Sequence, residues 1–104
     1  MIANPAAEYC VFLGYDYRIV DTARGQQGIC TFPDGTSCDE WQFFAGKCGQ
    51  EHSYCARQGY GIKTLADGQD PFSQEYAVCL DAAGNVLGSV AELSGLLDHL
   101  GCKP

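Results

Sequence analysis

The sequence is poor in basic residues and in several reactive side chains. Its 104 residues include six lysines and arginines against thirteen acidic residues, which gives a formal net charge of −7, and only two histidines and one tryptophan. The basic residues are scattered and form no patch. Because an acidic chain is repelled by phosphate backbones and anionic lipid surfaces, we expect no nucleic-acid partner.

Cysteine is the exception to this scarcity. Seven cysteines in so short a chain are typical of small exported proteins, whose cores need covalent cross-links. We therefore expect an extracytoplasmic protein. Residues 1–20 lack the basic start and apolar core of a signal peptide. We therefore expect the protein to be secreted, or lipid-anchored, through an N-terminal segment that has been removed. No apolar stretch is long enough for membrane insertion by this chain.

The segment Cys30–Cys48 has the strongest local signals. The tripeptide 33–35, Pro-Asp-Gly, combines three residues that favour a tight turn. Ser37 and Glu40 then have the spacing of a capping box, which predicts a helix over residues 39–46. The apolar face of this helix is predicted to hold Trp41, Phe44 and Ala45.

The second half of the chain repeats the order of landmarks in the first half. Tyr54-Cys55 matches Tyr9-Cys10, and Ser89 and Glu92 repeat the capping-box spacing of the first half. We predict two repeats, 1–48 and 49–104, each reading helix, strand, strand, short strand, helix. The predicted fold is α+β, with an antiparallel sheet and pseudo-symmetric halves packed as one disulfide-stapled domain.

One set of residues resembles a known family. The set is Asn4-Pro-Ala-Ala-Glu-Tyr-Cys10, Gly14, Gly28-Ile-Cys30, Phe32-Pro-Asp-Gly35, Cys38-Asp-Glu-Trp41 and Gly46-Lys-Cys48. Over residues 4–48 it resembles domain of unknown function 333, a family of small exported cysteine-rich proteins that are often lipoproteins and often labelled hemolysins. The resemblance implies the fold and the compartment.

The second half resembles a degenerate copy of the same unit. It lacks counterparts of Cys38, of the turn at 33–35 and of Trp41, so the resemblance assigns it no shared function. The acidic chain also has no amphipathic lytic segment that would support the hemolysin label.

The pairing of the first four cysteines is constrained by the predicted helix. If residues 39–46 are helical, Cys38 and Cys48 lie roughly 15 Å apart, whereas a disulfide tolerates at most about 7 Å between Cα atoms. Two pairings remain: Cys10–Cys48 with Cys30–Cys38, or Cys10–Cys38 with Cys30–Cys48. We favour the first, because Cys30 and Cys38 lie symmetrically about the turn.

The other three cysteines follow from the repeat. A bridge Cys55–Cys102 would mirror Cys10–Cys48 and would leave Cys79 as a free thiol, buried in an apolar strand. A symmetric rival pairs Cys10 with Cys30 and Cys55 with Cys79. Because seven is an odd number, a leftover cysteine keeps both a monomer and a covalent dimer open.

Two His-and-Cys pairs define an alternative function. His52 with Cys55, and His99 with Cys102, place ligand-type side chains near the two repeat ends, which would suit a thiol-dependent redox or metal-binding protein. The spacings are not those of a zinc finger, and no further catalytic group accompanies them. We therefore expect neither a metal, a cofactor nor an enzyme.

The remaining hypothesis is a non-catalytic binding or inhibitory module. The loop 66–74 joins two predicted strands and is the longest candidate contact surface, because loops carry function on rigid scaffolds. Phe43 cannot share the apolar face of Trp41, so it is a further candidate contact. The predicted contacts are Phe43, Asp67, Gln69 and Asp70, and the expected partner is a protein of the cell envelope.

Overall fold

The computed structural model describes residues 4–70 and 73–96. The helices are α1 (Pro5–Phe12), α2 (Glu40–Phe44), α3 (Tyr54–Arg57) and α4 (Val90–Leu93), with a 3-10 turn at Gln50–His52. The strands are β1 (Asp16–Thr22), β2 (Gly25–Thr31), β3 (Ser37–Asp39), β4 (Gly61–Leu65), β5 (Tyr76–Leu80) and β6 (Val86–Ser89). None of the helices in the described part of the chain has the length and apolar character needed to span a bilayer.

The strands form two antiparallel three-stranded sheets, in the orders β1-β2-β3 and β4-β5-β6. The β1–β2 ladder is regular over seven residue pairs, whereas the β5–β6 ladder shifts register between Cys79 and Leu80. Helices with antiparallel sheets confirm the predicted α+β class. Each half also has the predicted order of elements, while the pseudo-symmetric packing of two repeats stays a prediction.

Helix α1 begins with a side-chain cap at Asn4. The Asn4 side chain accepts hydrogen bonds from the amides of Ala6 and Ala7, and Pro5 occupies the first turn, where a missing N–H is harmless. The helix buries Ala6, Tyr9 and Cys10. In the second half, the capping box of Ser89 and Glu92 is present as predicted.

Helix α2 is shorter than predicted and begins differently. Asp39, rather than Ser37, is its cap and accepts from the amides of Trp41 and Gln42. The helix ends at Phe44, and Gly46 takes a φ of +80°, a conformation that glycine adopts without steric cost. The chain therefore turns back after one helical turn instead of running straight to residue 48.

This reversal explains the first correction to the predicted disulfides. Cys38 pairs with Cys48, with 6.0 Å between their Cα atoms, although a continuous helix would have separated them. Cys10 pairs with Cys30. The predicted bridges Cys10–Cys48 and Cys30–Cys38, and their alternative with Cys10–Cys38 and Cys30–Cys48, are therefore wrong.

The second correction concerns the other half. Cys79 pairs with Cys55, so the expected free thiol at Cys79 and the expected Cys55–Cys102 bridge are wrong. Both cysteines of this pair are fully buried. The symmetric rival, which joins the first helix of each half to its middle strand, is the arrangement in the structure. Cys102 lies outside the described residues.

The two halves share one apolar core. Its buried members come from both halves and are Ala6, Tyr9, Cys10, Cys30, Phe32, Cys38, Phe43, Phe44, Cys55, Ala77, Cys79, Val90, Ala91 and Leu96. The hydroxyl of Thr64 donates to the carbonyl of Ala45 at 2.6 Å. The amide of Tyr54 donates to the hydroxyl of Tyr9 at 3.0 Å, so hydrogen bonds also join the halves.

Candidate functional site

A surface cluster forms where the tight turn meets the joint between the halves. We call it the turn cluster, and its members are Tyr15, Phe32, Asp34 and His52. The His52 ring stacks on Phe32, with 4.3 Å between centroids and 14° between planes. Its Nε2 lies 3.2 Å from Oδ2 of Asp34. The hydroxyl of Tyr15 donates to the backbone carbonyl of His52 at 2.7 Å.

The charged side chain of Asp34 in this cluster stabilises the tight turn. Asp34 accepts from both the amide and the hydroxyl of Thr36. These bonds, with a smaller contribution from His52, hold the pKa of Asp34 below its ordinary value, because hydrogen bonds to a carboxylate favour its charged form. A second acid, Glu51, lies 3.7 Å from the ring. The hydroxyl beside the pair Asp34–His52 is that of Thr36, and it donates to Asp34 within the turn.

A second polar cluster is buried beneath the first sheet. Glu40, at 6 % exposure, accepts from Nδ2 of Asn4 at 2.7 Å and from the hydroxyl of Tyr17 at 3.3 Å. Its carboxylate lies directly against Gly28, where no side chain would fit. Burial, and then the neighbouring Glu40, raise the pKa of Tyr17. The cluster ties the start of α1 to α2 and β1.

The predicted contact loop is organised around Asp67. Its Oδ1 accepts from the hydroxyl of Tyr76 at 2.7 Å and from the amide of Gln69 at 3.0 Å. These bonds lower the pKa of Asp67 and raise the pKa of Tyr76 to about 12. Asp67 and Gln69 are exposed, and Asp70 is half-buried. Asp67 and the amide of Gln69 are therefore held by internal hydrogen bonds while their residues are exposed to solvent.

A shallow groove lies beside β1. Its volume is about 370 Å³, and its lining residues are Asp16, Tyr17, Arg18 and Thr31. The buried Oγ1 of Thr31 has no hydrogen-bond partner among the described residues, which is rare for a buried hydroxyl. No sequence pattern indicates this groove, because its residues come from two strands and only their pairing brings them together.

The structure corrects the prediction that Phe43 is a surface contact. Phe43 is 1 % exposed and packs against Tyr9, Tyr15 and Phe32. Phe44 is buried as well, whereas Trp41, predicted to lie on the buried face, is 37 % exposed. The physical reason is that α2 is covered on two sides, so two adjacent side chains are both buried.

The structure also separates the predicted His-and-Cys cluster. Cys55 is in a buried disulfide and offers no thiolate, which metal binding and nucleophilic attack both require. His52 bonds Asp34 instead. His99 and Cys102 lie outside the described residues. Within residues 4–70 and 73–96, no group of three or more acids, histidines or cysteines is placed to hold a metal ion.

Comparison with known proteins adds a family but no activity. Residues 1–47 match the family described as "Domain of unknown function (DUF333)". A protein of Archaeoglobus fulgidus, named "Uncharacterized protein", is 38 % identical over 95 residues, which cover 91 % of this chain and 43 % of that relative. The chain thus spans less than half the length of that relative. No solved structure matches.

Proposed function

We propose that this protein, whose residues 1–47 belong to the family of domain of unknown function DUF333, is an exported, non-catalytic binding or inhibitory module. The observation that carries the proposal is the covalent scaffold. Two disulfides join a helix to the middle strand of a sheet, and the third closes the segment that contains α2. Six cysteines are thereby used for stability, as in small exported proteins.

The side chains that usually perform catalysis are also engaged in the scaffold. Asp34 holds the tight turn, Glu40 anchors the start of α1, and His52 stacks on Phe32. Groups held by such internal bonds stabilise a shape. This use supports a binding role over an enzymatic one.

The loop 66–70 supplies the proposed contact surface. Its exposed Asp67 accepts from the hydroxyl of Tyr76 and from the amide of the exposed Gln69, and a pre-organised loop loses little entropy when a partner binds. Glu75, which follows the loop, forms an ion pair with Lys47 at 2.5 Å. The proposed partner is a protein of the cell envelope.

Export is tested by locating the protein in the organism that makes it. Intact cells are treated with a membrane-impermeant thiol reagent before and after reduction, and the cysteines are then mapped by mass spectrometry. We expect the protein in the extracytoplasmic fraction, with six cysteines labelled only after reduction. A cytoplasmic protein with reduced cysteines would overturn the proposal.

Binding is tested by photo-crosslinking. A photoreactive amino acid replaces Gln69, or, as the control, the exposed Ala82 on the turn between β5 and β6. We expect one envelope protein to be captured from position 69 alone, and to bind the purified chain less tightly after Asp67→Ala. Equal capture from both positions, or an unchanged affinity after that substitution, would contradict this contact surface.

A further inference from the structure

The first strand is an unusual sheet edge. In the described part of the chain, the four edge strands β1, β3, β4 and β6 have seven, three, five and four residues. Short length or a register shift limits the exposed edges of β3 and β6. Strand β1 has neither of these, and no proline interrupts it. Long regular edges are the ones that accept another strand.

The hydrogen bonds of the sheet identify which groups of β1 face outward. The amide of Phe32 donates to the carbonyl of Thr36. Bonds alternate along the middle strand of an antiparallel sheet, so the backbone of Cys30 bonds to β3 and its two neighbours bond to β1. The β1 residues whose N–H and C=O point outward are therefore Tyr17, Ile19 and Asp21.

Ile19 is the apolar centre of this edge. It is 59 % exposed, the highest fraction among the described large apolar side chains. Its partner in the ladder is Gly28, which has no side chain, and strand β3 does not extend that far. Because the ladder partner of Ile19 has no side chain to pack against it, a strand added on the open side would cover it.

Charged groups and a groove lie beside the same edge. Asp16 and Arg18 line the groove together with Thr31, whose hydroxyl lacks a partner, and Asp21 lies two residues beyond Ile19. Strand addition draws its affinity from main-chain bonds and its specificity from pockets beside alternate side chains. The edge therefore has both parts of such a site.

We propose that β1 binds an extended segment of a partner protein by strand addition, an inference that rests on the proposed binding function. Charge complementarity defines the segment. It places an apolar β-branched residue opposite Ile19, an acidic residue opposite Arg18 and a basic residue opposite Asp21. The net charge of −7 further favours a basic partner.

A second copy of this chain fits the edge less well. With Ile19 facing Ile19 of an antiparallel copy, Arg18 faces Val20 and Asp21 faces Tyr17, so no opposite charges pair. One seven-residue strand also covers far less than the roughly 1,200 Å² buried in a stable interface. The partner is therefore a segment of a different protein.

The probe is a peptide with blocked termini and the same length as β1, seven residues. Its sequence is Thr-Lys-Val-Ile-Glu-Thr-Lys, and it is designed to pair antiparallel with β1. The reversed sequence tests parallel pairing. Backbone amide spectra and hydrogen exchange of the isotope-labelled chain are recorded with millimolar peptide. We expect exchange at Ile19 and Asp21 to slow by about tenfold, with shifts confined to the first sheet.

Two matched peptides separate backbone pairing from other binding. N-methylation at the second, fourth and sixth residues removes the N–H groups that would face β1, and is expected to abolish protection. N-methylation at the third and fifth residues removes N–H groups of the opposite edge, and is expected to preserve it. Equal behaviour of the two peptides would overturn strand addition.

Two variants test the protein side. Ile19→Pro removes one outward N–H while leaving the β1–β2 bonds, and edge strands accept proline. Ile19→Thr keeps the N–H and the β-branch. We expect Ile19→Pro to lose peptide protection with an unchanged thermal melt, and Ile19→Thr to keep it. Because Ile19→Pro can also disrupt the pairing of β1 with β2, the amide spectrum of this variant without peptide is the control and should match that of the wild type outside position 19.

The outcomes distinguish this inference from the proposed function. If β1 responds to neither peptide while Gln69 still cross-links to one specific protein, strand addition is overturned but the proposed binding function is not. Failure of both overturns the binding module as well. A third outcome is that protection of β1 grows with protein concentration in the absence of peptide, and that sedimentation shows a dimer. The strand bound to β1 would then be a second copy of this chain, and the inference would be overturned.

Discussion

The carboxylate of Glu40 occupies the space in which a side chain at position 28 would begin. A Cβ built on Gly28 would lie 1.8 Å from Oε2 of Glu40 and 2.4 Å from the hydroxyl of Tyr17. Glycine is therefore required at position 28 by the closeness of a buried polar cluster.

Substituting Gly28 tests this relationship. We expect Gly28→Ala to displace Glu40 from the bonds that Asn4 and Tyr17 donate and to lower the free energy of unfolding by about 1–3 kcal/mol. Urea denaturation measures the loss. Gly61→Ala is the control, since its Cβ would meet only Leu80 at an ordinary 3.5 Å.

A double-mutant cycle assigns the cause. In a Glu40→Ala background the clash with the carboxylate is gone and only the contact with the Tyr17 hydroxyl remains. Gly28→Ala should therefore cost less than in the wild type, with a coupling of about 1 kcal/mol. Additive losses would show that the strain lies elsewhere in β2.

Two threonines should respond in opposite directions to the same substitution. Thr31→Val removes a buried hydroxyl without a described partner and should raise the free energy of unfolding by about 1 kcal/mol. Thr64→Val removes the bond to the carbonyl of Ala45 and should lower it by about 1–2 kcal/mol. Thermal and urea unfolding of both variants measure the signs. A loss of stability in Thr31→Val would mean that its hydroxyl is bonded in solution.

Acid should weaken the fold partly through Asp67. Its folded pKa is lowered, so this contribution to stability is complete above the unfolded pKa and is lost as the pH falls through the folded value, below about pH 4. We expect Tyr76→Phe, which removes the strongest donor to Asp67, to flatten the decrease in melting temperature on acidification. Asp21→Asn, in the exposed hairpin, is the control and should leave that slope nearly unchanged.

Mild reduction should open one disulfide before the others. Cys48 is half-buried, whereas the four cysteines of the other two bridges are fully buried. A reductant therefore reaches Cys38–Cys48 first, because exchange needs access of a thiolate to sulfur. Timed alkylation and peptide mapping would show this order. Each bridge should contribute about 3 kcal/mol, so early opening of Cys10–Cys30 would instead indicate local unfolding of α1.

Most of the local signals were informative. The turn at 33–35 and the capping box of Ser89 and Glu92 depend on residues within one turn of chain, and both are present. The capping box predicted for Ser37 and Glu40 is the exception, because Asp39 lies closer to the helix and caps it instead. The α+β class followed from the order of such elements. Local signals of this kind act through neighbouring backbone groups, so they survive packing.

The errors arose where one local assumption was extended over a distance. The separation of Cys38 from Cys48 assumed a helix through residue 46, but the helix ends at Phe44 and Gly46 reverses the chain. The exposure of Phe43 assumed that α2 has one buried face. Neither the packing of α2 against both α1 and β2 nor the groove beside Thr31 is encoded in any short stretch of sequence.

The contact of Gly46 with the second sheet has a consequence for the family boundary. A Cβ on Gly46 would already lie 3.0 Å from Ala77 and 3.2 Å from Ile62, so the matched segment 1–47 ends inside a packed interface. A chain cut after Lys47 would expose that surface to water, so we expect that it does not fold on its own. Separately made fragments 1–47 and 48–104 should each be disordered alone and recover the native spectrum when mixed under oxidising conditions. The unit that can be transplanted between proteins is therefore larger than the stretch that sequence similarity marks.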